Sequence, residues 1–347
     1  MPQTQITAQA IADLLLAALP ELNKRTVSQI AQRLPKYEAW PKIFQSERRI
    51  IGSGTSVQQN LLAYRSSPAR AVGLGEPSPA SIPDLMSKIN INWSHYHTNW
   101  AFEIREQLMN KGEAQITDML AKREFDARMS LIDRIELDFF GDPNPANARS
   151  LLPMKYWLVA SQTTGFNGIH PSGYTSIAGV DAQNDVTNFR NWTDTYTTVS
   201  FNDLVDKLHT AHWETGWVAP INLAQARRDV QAYTIYCHYE TYRELTKLGR
   251  SQNDNLGPDI AAMDGMIVFN RHPIVPVHQL TENGDKNLYM VNHEYFTAVF
   301  LEGDVMRRTG PRALEDPHNI IKTDYDLTVN TWCDDRRRQA VIAEKEA

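Results

Sequence analysis

One stretch, from Glu113 to Phe140, reads as a single long helix and constrains the fold more than any other part of the chain. Its apolar residues recur at helical spacing, and most of its charged residues, Glu136 among them, fall outside that stripe. The stripe consists of Ile116, Met119, Leu120, Phe125, Met129, Ile132, Ile135 and Phe139. The sequence GDPNP, which begins at Gly141, ends the helix. About 28 helical residues make a rod of about 42 Å.

Upstream of this helix, two extended stretches surround a loop rich in proline, glycine, serine and alanine. VQQNLLAYRSSPAR begins at Val57 and LMSKININWSHYH begins at Leu85. In the second, Ile89 and Ile91 alternate with asparagines, which is typical of a strand. We predict a long hairpin with a loose tip and arms of about 33 Å. Because an isolated two-stranded hairpin is marginal in water, we expect another subunit to receive it.

The remaining segments predict a mixture of helices and strands. Short amphipathic helices are expected in ITAQAIADLLLAALP and from Thr26 to Leu34, and they must dock elsewhere to be stable. SFNDLVDKLHTAHWE predicts a helix capped by Ser200 or Asn202. RRDVQAYTIYCHYETYRELTKLG predicts another helix that ends at Gly249. Extended pieces follow in GMIVFNRHPIVPV, NLYMVNHEYFTAVFLE and YDLTVNTW, so the fold class is α+β.

Composition narrows the class of protein. With 347 residues, the chain is long enough for two domains or one elaborate domain. A net charge of -6 argues against a generally basic nucleic-acid binder. Cys237 and Cys333 are too few for a disulfide framework and fit a reducing cytoplasm. No basic segment precedes the apolar N-terminal stretch, so we expect no secretory signal. No window reaches the roughly 18 apolar residues of a membrane span.

Two groups of histidines invite a metal-site interpretation. HTAHWE places His209 and His212 three residues apart on a helix, with Glu214 nearby, and such a set can hold zinc with an open position. The HExxH pattern is absent, so an amphipathic helix end is favoured and a metal-dependent enzyme stays as an alternative. HYH places His95 and His97 on one face of a strand, where we favour a paired surface on the hairpin arm.

Other motifs give no active site or cofactor site. TTGFNGIHPSGYTSIAG lacks the Gly-Lys-Ser/Thr of a phosphate loop, and no GxGxxG opens a helix. NDNLGPD lacks the residue order of an EF-hand. No Gly-x-Ser-x-Gly elbow is present, and neither cysteine lies in a nucleophile context. We predict a structured surface loop, a turn between helix and strand, no cofactor and no enzymatic activity.

Near the C-terminus, WCDDRRRQAVIA contains a short basic run. Asp334 and Asp335 offset two of its three arginines, so it is a poor phosphate anchor. Alternation upstream predicts a strand, which places Arg336 and Arg338 on one side and Arg337 on the other. A strand that enters an arginine-rich joint is therefore favoured, and arginine is the residue that best suits ion pairs at an interface.

The order of these parts resembles the major capsid proteins of tailed bacteriophages, which share the Hong Kong 97-like fold. The most specific pieces are GMIVFNRHPIVPVHQL, which looks like the family's Gly-x-Pro-Val strand, and TVNTWCDDRRRQAVIA, which looks like its final strand. The resemblance in layout spans nearly the whole chain. It implies an N-terminal arm (1–45), an extended loop (46–98), a peripheral domain with a spine helix (99–220), an axial domain (221–320) and a C-terminal strand returning to the peripheral domain (321–347).

The resemblance also implies a structural role in a virion. Subunits would assemble in the host bacterial cytoplasm into hexamers and pentamers that close an icosahedral head around double-stranded DNA, with scaffolding and portal proteins as partners. The resemblance also places the final strand near intersubunit contacts, so Arg336, Arg337 and Arg338 become candidates for ion pairs with neighbouring subunits, with DNA contact as a secondary possibility. Arg70 and Trp93 are further candidate intersubunit contacts. An encapsulin-like cellular compartment shell, which shares the fold, stays open as an alternative. Some members cross-link through a loop lysine; the hairpin has only Lys88, away from its tip, so we predict no cross-link.

Overall fold

The computed structural model of the chain describes residues 37–46, 48–64, 86–105, 113–217, 233–252, 262–263, 266–313 and 319–345. The two predicted N-terminal helices, the hairpin tip with Arg70, and the segment NDNLGPD lie outside these residues. Two larger sheets, a two-stranded hairpin and several helices make up the described part, in an α+β fold. None of the helices described is long and apolar enough to cross a membrane.

The strands follow one another along the chain and confirm the extended pieces predicted near the C-terminus. They are β1 (Arg48–Ile51), β2 (Ser56–Leu62), β3 (Met86–Asn92), β4 (Ser94–Glu103), β5 (Gly165–Gly168), β6 (Asn191–Tyr196), β7 (Tyr233–Cys237), β8 (Ala262–Met263), β9 (Met266–Phe269), β10 (His272–Pro276), β11 (Leu288–Asn292), β12 (Phe296–Leu301), β13 (Arg307–Ala313), β14 (Ile320–Cys333) and β15 (Ala340–Glu344).

The helices include the predicted long rod with its predicted bounds. They are α1 (Glu113–Phe140), α2 (Met154–Trp157), α3 (Asp206–Glu214), α4 (Tyr239–Gln252) and α5 (His278–Glu282), with π-helical segments at Trp40–Ser46 and Phe201–Val205 and a 3-10 turn at Arg336–Arg338. The predicted helix over SFNDLVDKLHTAHWE is confirmed as the second π-helical segment followed by α3. Ser200 precedes it, but its side chain makes no capping hydrogen bond.

The predicted helix over RRDVQAYTIYCHYETYRELTKLG is wrong in its middle part. YTIYC forms the strand β7, and the helix α4 begins only at Tyr239. All five side chains of β7 are buried, and its neighbours on the two edges are β10 and β11. A strand that is covered on both faces loses the alternation of apolar and polar residues that would distinguish it from a buried helix.

The first sheet has the order β1-β12-β14-β13, and β4 pairs with the other edge of β14. β14 is 14 residues long and pairs with three other strands of this sheet, β4, β12 and β13. Its residues Ile320 to Val329 pair with β4 along one edge. Along the opposite edge, β14 pairs first with β13 and then with β12. The N-terminal half of α1 packs on this sheet through Leu120 and Ala127, which contact the cluster of Trp100 and Tyr325.

The second sheet has eight strands in the order β5-β6-β15-β11-β7-β10-β9-β8. It mixes parallel and antiparallel neighbours; β15 runs parallel to β6 and antiparallel to β11. Apolar side chains of β6, β7, β11 and β15 form one core cluster with residues of α3 and α4. This sheet cuts across the predicted domain limits, because β6 from the predicted range 99–220 and β15 from 321–347 lie beside strands from 221–320.

Two of the passages of the chain between the sheets lie next to each other. Residues 293–295 link β11 of the eight-stranded sheet to β12 of the five-stranded sheet, and residues 334–339 link β14 to β15. The two links are hydrogen-bonded to each other. Asp334 N–H donates to the Tyr295 carbonyl at 2.8 Å. The buried Gln339 side chain accepts from Asn292 N–H at 2.7 Å and donates to the Asn292 carbonyl at 3.0 Å.

The base of the hairpin rests on its own chain rather than standing free. β2 and β3 pair antiparallel from Ser56↔Asn92 to Leu62↔Met86. The side chains of one hairpin face are buried in a cluster that also holds residues 177–189: Val57, Ala63, Ile89 and Ile91. The backbone N–H of Asn90 donates to the Ala178 carbonyl at 2.8 Å. The expectation that this apolar face needs another subunit is therefore wrong for the described part of the hairpin.

The core face of α1 is rotated from the predicted stripe. Leu120, Leu131, Ile135 and Phe139 are buried, whereas Phe125 of the predicted stripe is 37% exposed. Met129 and Ile132 are only partly buried. Two glutamates that a helical wheel would place in solvent, Glu124 and Glu136, are buried instead. Both have hydrogen-bond donors in neighbouring segments, which is what a buried carboxylate requires.

Candidate intersubunit surfaces

Arg336 was predicted to contact a neighbouring subunit, but its side chain is fully buried within its own chain. The predicted strand ends at Cys333, and the three arginines form a 3-10 turn after it. All five N–H groups of the guanidinium donate hydrogen bonds of 2.7–3.0 Å to Trp157 O, Gly168 O, Ile169 O, Phe189 O and Asn191 Oδ1. The prediction of an intersubunit ion pair at Arg336 is wrong because no part of this side chain reaches the surface.

The environment of Arg336 is unusual because none of its five acceptors is a carboxylate. Burial lowers the pKa of Arg336 to about 10. Its guanidinium also lies over the ring of Phe189, with 5.4 Å between the guanidinium carbon and the ring centroid. The charge is therefore stabilised by carbonyl dipoles and an aromatic face. Arg336 fastens three separate segments, around residues 157, 168 and 190, to the link between β14 and β15.

A glycine makes this arrangement possible. At Gly168, an added Cβ would lie 1.9 Å from Oδ1 of the Asn191 side chain. The same Asn191 Oδ1 accepts from Arg336 and from the Val159 N–H, and its Nδ2 donates to the Val159 carbonyl at 2.9 Å. The glycine-rich sequence GFNG thus provides close packing around a buried amide. It forms β5 rather than a phosphate-binding loop.

Arg337 and Arg338 point outward, in contrast to Arg336. The Arg337 side chain is 55% exposed and pairs with both carboxylate oxygens of Asp335, each at 3.2 Å. Arg338 is 43% exposed and lies over the ring of Tyr295. Both arginines line a surface groove together with Glu214. These two side chains therefore stay available as candidate contacts with another molecule.

Trp93, the other predicted contact in the described residues, lies at the junction between β3 and β4. It is 9% exposed and belongs to the main core cluster. Its indole N–H donates to the Gly54 carbonyl at 2.8 Å. Most of its surface is thus used inside its own chain, where it closes the base of the hairpin.

The outer face of the hairpin carries an apolar pair that no sequence motif indicated. Leu62 and Met86 are directly paired across β2 and β3 and are 68% and 64% exposed. Towards the base of the hairpin, the same face carries polar pairs, including Gln58↔Asn90. An exposed apolar pair at the end of a polar strand pair is a feature of a contact surface, because isolated hairpins gain nothing from it in water.

The predicted zinc set is not assembled. In the described ranges, no group of three or more His, Cys, Asp or Glu side chains is arranged to hold a metal ion. Glu214 lines the groove with the arginines, whereas His212 faces His272 of β10, with ring centroids 5.6 Å apart. Both ring nitrogens of His272 are buried without a hydrogen-bond partner. Burial, followed by the charge of His212, lowers the pKa of His272 to about 3.

The other histidine pair lies on β4 in the five-stranded sheet, not on the hairpin arm. His95 Nδ1 is 2.8 Å from Thr328 Oγ1 on the neighbouring β14. His97 lies between two aspartates of β14, 2.8 Å from Asp326 and 3.3 Å from Asp324. The hydrogen bond from His97 lowers the pKa of Asp326. These contacts join two strands of one sheet, and they give both histidines a structural role within that sheet.

Sequence reasoning missed the two buried charges on which the packing depends, Arg336 and Glu136. Both carboxylate oxygens of Glu136 accept backbone N–H groups, from residues 38 to 40. No local pattern marks either residue as buried, because their partners are groups distant in the chain: backbone groups and, for Arg336, also the Asn191 side chain. The apolar pair Leu62 and Met86 was also missed, since the facing register of a hairpin with a long tip is not fixed by its sequence.

No protein-family model matches the sequence, and a search of curated proteins gives no significant match. Solved structures match along nearly the whole chain. The capsid asymmetric unit of cyanophage A-1(L) is 12% identical, with 92% of this chain and 96% of that chain covered and a TM-score of 0.64. The capsid of Myoviridae phage XM1 is 13% identical, with 93% and 97% covered and a TM-score of 0.53. A Mycobacterium phage Bobi structure is 8% identical, with 99% and 100% covered and a TM-score of 0.51.

At such low sequence identity, these similarities show the fold alone. The chain has the fold of the tailed-phage major capsid structures that it matches, which confirms the fold predicted from the order of its parts. Coverage above nine tenths of both chains means that the match includes both sheets and the long helix, and is not limited to one common substructure.

Proposed function

We propose that this chain is the major capsid protein of a tailed-phage head. Its subunits assemble with one another into hexamers and pentamers, and these close an icosahedral shell around double-stranded DNA. The observation that carries the proposal is the match to phage capsid structures along more than nine tenths of both chains. A shell subunit needs no active site, and its contacts with other copies lie on its outer surfaces.

The exposed apolar surface of the hairpin is evidence for the self-assembly part of this proposal. Its base is fixed on its own subunit through residues 177–189, whereas Leu62 and Met86 present apolar surface outward at the end of its described part. A second copy of the chain is the occupant that fits this pair best, because every subunit of a closed shell meets others in a repeated arrangement. Packing the pair against a neighbour would remove from water the most exposed apolar side chains among the described residues of the hairpin.

The outward arginines support a second contact. Arg337 and Arg338 lie in a groove between the link 334–339 and α3, where they can pair with acidic groups of a neighbour. With a net charge of -6, the chain offers packaged DNA only weak contacts that do not depend on sequence. Scaffolding and portal proteins complete the proposed partners, with assembly in the host cytoplasm and the virion as the final location.

The sheets suggest revised domain limits. We assign the five-stranded sheet and α1 to the peripheral domain. The eight-stranded sheet with α3 and α4 forms the axial domain. The hairpin of β2 and β3 forms the extended loop. This assignment gives each domain a sheet of its own, which the limits drawn from the sequence did not do.

Electron microscopy of the purified protein, alone and coexpressed with a scaffold, tests the proposal. We expect closed shells for the unmodified chain. The double variant L62S/M86S should form few or none, while the matched control Q58S/N90S, which changes a polar pair on the same hairpin face, should assemble normally. A chain that stays monomeric in every assembly condition would refute the shell function. Shells that enclose a cargo protein instead of DNA would identify a cellular compartment.

A further inference from the structure

The segment immediately before β1 contacts both sheets. This junction segment, residues 37–46, is where the chain enters the described structure before the first strand. Its side chains Ala39, Ile43 and Phe44 are no more than 1% exposed. The ring of Phe44 packs edge-on against Phe139 of α1 and Phe300 of β12, at centroid distances of 5.8 and 6.2 Å. These contacts join the junction segment to the long helix and the five-stranded sheet.

Two carboxylates of α1 hold the beginning of this segment. Glu136, which is fully buried, accepts three backbone hydrogen bonds. One oxygen, Oε1, accepts from Glu38 N–H and Ala39 N–H at 2.9 Å, and Oε2 accepts from Trp40 N–H at 3.0 Å. One turn earlier on α1, Asp133 accepts a hydrogen bond from the Tyr37 hydroxyl. Glu136 therefore occupies the place of a cap for the first N–H groups of a short helical segment.

The junction segment also reaches the eight-stranded sheet, again through a charged group. The Lys42 ammonium donates to the hydroxyl of Thr234 on β7. Next to Thr234 lie two further buried polar side chains, Tyr236 and His293, whose hydroxyl and Nε2 are 3.2 Å apart. The segment is thus attached through an apolar centre and charged groups at both ends. Because burying a charge costs several kcal/mol per ion, its net docking is weaker than its apolar contacts alone would make it.

We propose that the junction segment is a releasable contact between the two sheets and that Glu136 controls its release. In the docked state it joins α1, β12 and β7. When the three bonds to Glu136 open, this joint is lost while each sheet keeps its own hydrogen bonds. Such a local opening is a low-energy unit of the native state, distinct from global unfolding. The inference holds for the isolated subunit and does not depend on the proposed shell function.

The substitution E136Q tests this control with little change in side-chain shape. If the amide oxygen stays on Glu38 and Ala39, its NH2 group faces the N–H of Trp40, so one bond is replaced by two opposed donors. A matched control is E124Q on the same helix. Glu124 is 5% exposed, but it accepts from Tyr325 of β14 and does not contact the junction segment. A second variant, Y37F, removes the bond from the Tyr37 hydroxyl to Asp133 and leaves Glu136 unchanged.

The measurement is amide hydrogen exchange of the full-length chain, compared between peptides from 37–46 and from 296–301. In E136Q we expect exchange in 37–46 to accelerate on the order of tenfold, which corresponds to about 1.4 kcal/mol, with 296–301 unchanged. Y37F should show a smaller acceleration in the same peptide, and E124Q none. Unchanged exchange in E136Q would overturn the proposal, as would equal acceleration in E124Q or in both peptides. If E136Q does not fold, an unchanged Y37F would overturn it.

Discussion

The buried guanidinium of Arg336 gives the sharpest test of how this fold is held together. Replacing it by methionine keeps a long unbranched side chain but removes five hydrogen-bond donors at once. Each buried acceptor left without a partner costs about 1–3 kcal/mol. Removing a buried charge regains part of its desolvation cost, which is several kcal/mol. Asn191 Oδ1 keeps its bond from the Val159 N–H, so at most four acceptors are left without a partner. Because these losses exceed the gain, we expect R336M to lower the free energy of unfolding by about 3–5 kcal/mol.

Lysine at the same position separates charge from geometry. Its ammonium has three N–H donors, so at least two of the five acceptors lose their bond even if the other three are kept. We expect R336K to lose about 2–3 kcal/mol, less than methionine but far more than a surface change. The matched control is R337M. Arg337 is 55% exposed and pairs with Asp335 alone, so its loss should change stability by no more than about 0.5 kcal/mol.

Urea unfolding of the unassembled subunit, followed by tryptophan fluorescence, measures these differences. Trp157, whose carbonyl accepts from Arg336, is itself buried and reports on the same region. If R336M lies within about 1 kcal/mol of the unmodified chain, the carbonyl acceptors are satisfied without the guanidinium and the reasoning fails. The reasoning also fails if R336M and R337M lower the free energy of unfolding by the same amount. Replacing all three arginines together would mix an internal role with surface roles, so the single variants are required.

Three further predictions concern other residues. The pKa of His272 is lowered to about 3 in the fold, so the unfolded chain binds a proton that the native state does not once the pH falls below about 6.5. His272 should therefore remove about 1–2 kcal/mol of stability between pH 7 and 5 in urea titrations, and the loss should be smaller by that amount in H272F. Burial also lowers the pKa of His293, so its own share of the loss stays in both proteins. A pH-independent difference between the two proteins would contradict this. G168A should lower the thermal midpoint by several degrees, because its Cβ would lie 1.9 Å from the Asn191 side chain. In the control G284A an added Cβ meets nothing within 4 Å, so only the strain of a positive φ at that position should lower the midpoint. R337A/R338A should reduce shell yield in microscopy without reducing subunit stability; normal shells that retain less DNA would favour the nucleic-acid role instead.

The parts of the fold that the sequence predicted are those with strong local signals. The bounds of α1 follow from a long periodic stretch ended by GDPNP. GMIVFNRHPIVPV was predicted as one extended piece, and the structure divides it into the antiparallel strands β9 and β10. β7 was mistaken for a helix because burial on both faces removes alternation. YTIYC in that segment is rich in β-branched and aromatic residues, which indicates a strand. The helical spacing of the residues that follow it led to the prediction of a helix over the whole segment.

The candidate site was harder to predict because it depends on contacts between distant segments. Charge alone suggested that Arg336, Arg337 and Arg338 would share a role, whereas one is buried and two are exposed. Five acceptors from three segments decide the outcome, and none of them lies within 140 residues of Arg336 along the chain. The domain limits drawn from the sequence stay a prediction, since the chain moves repeatedly between the sheets and sequence order does not reveal which sheet a strand joins.

The two links between the sheets, at 293–295 and 334–339, have a mechanical consequence. They run side by side and are joined by the backbone bond from Asp334 to Tyr295 and by the two bonds of the Gln339 side chain to Asn292. The two links lie beside the main core cluster, which contains Tyr236 and Val291 of the eight-stranded sheet together with Phe296 and Val299 of the five-stranded sheet. Any change in the angle between the sheets would therefore have to repack this shared cluster as well as move the two links. The links and the cluster together make the two sheets one mechanical unit.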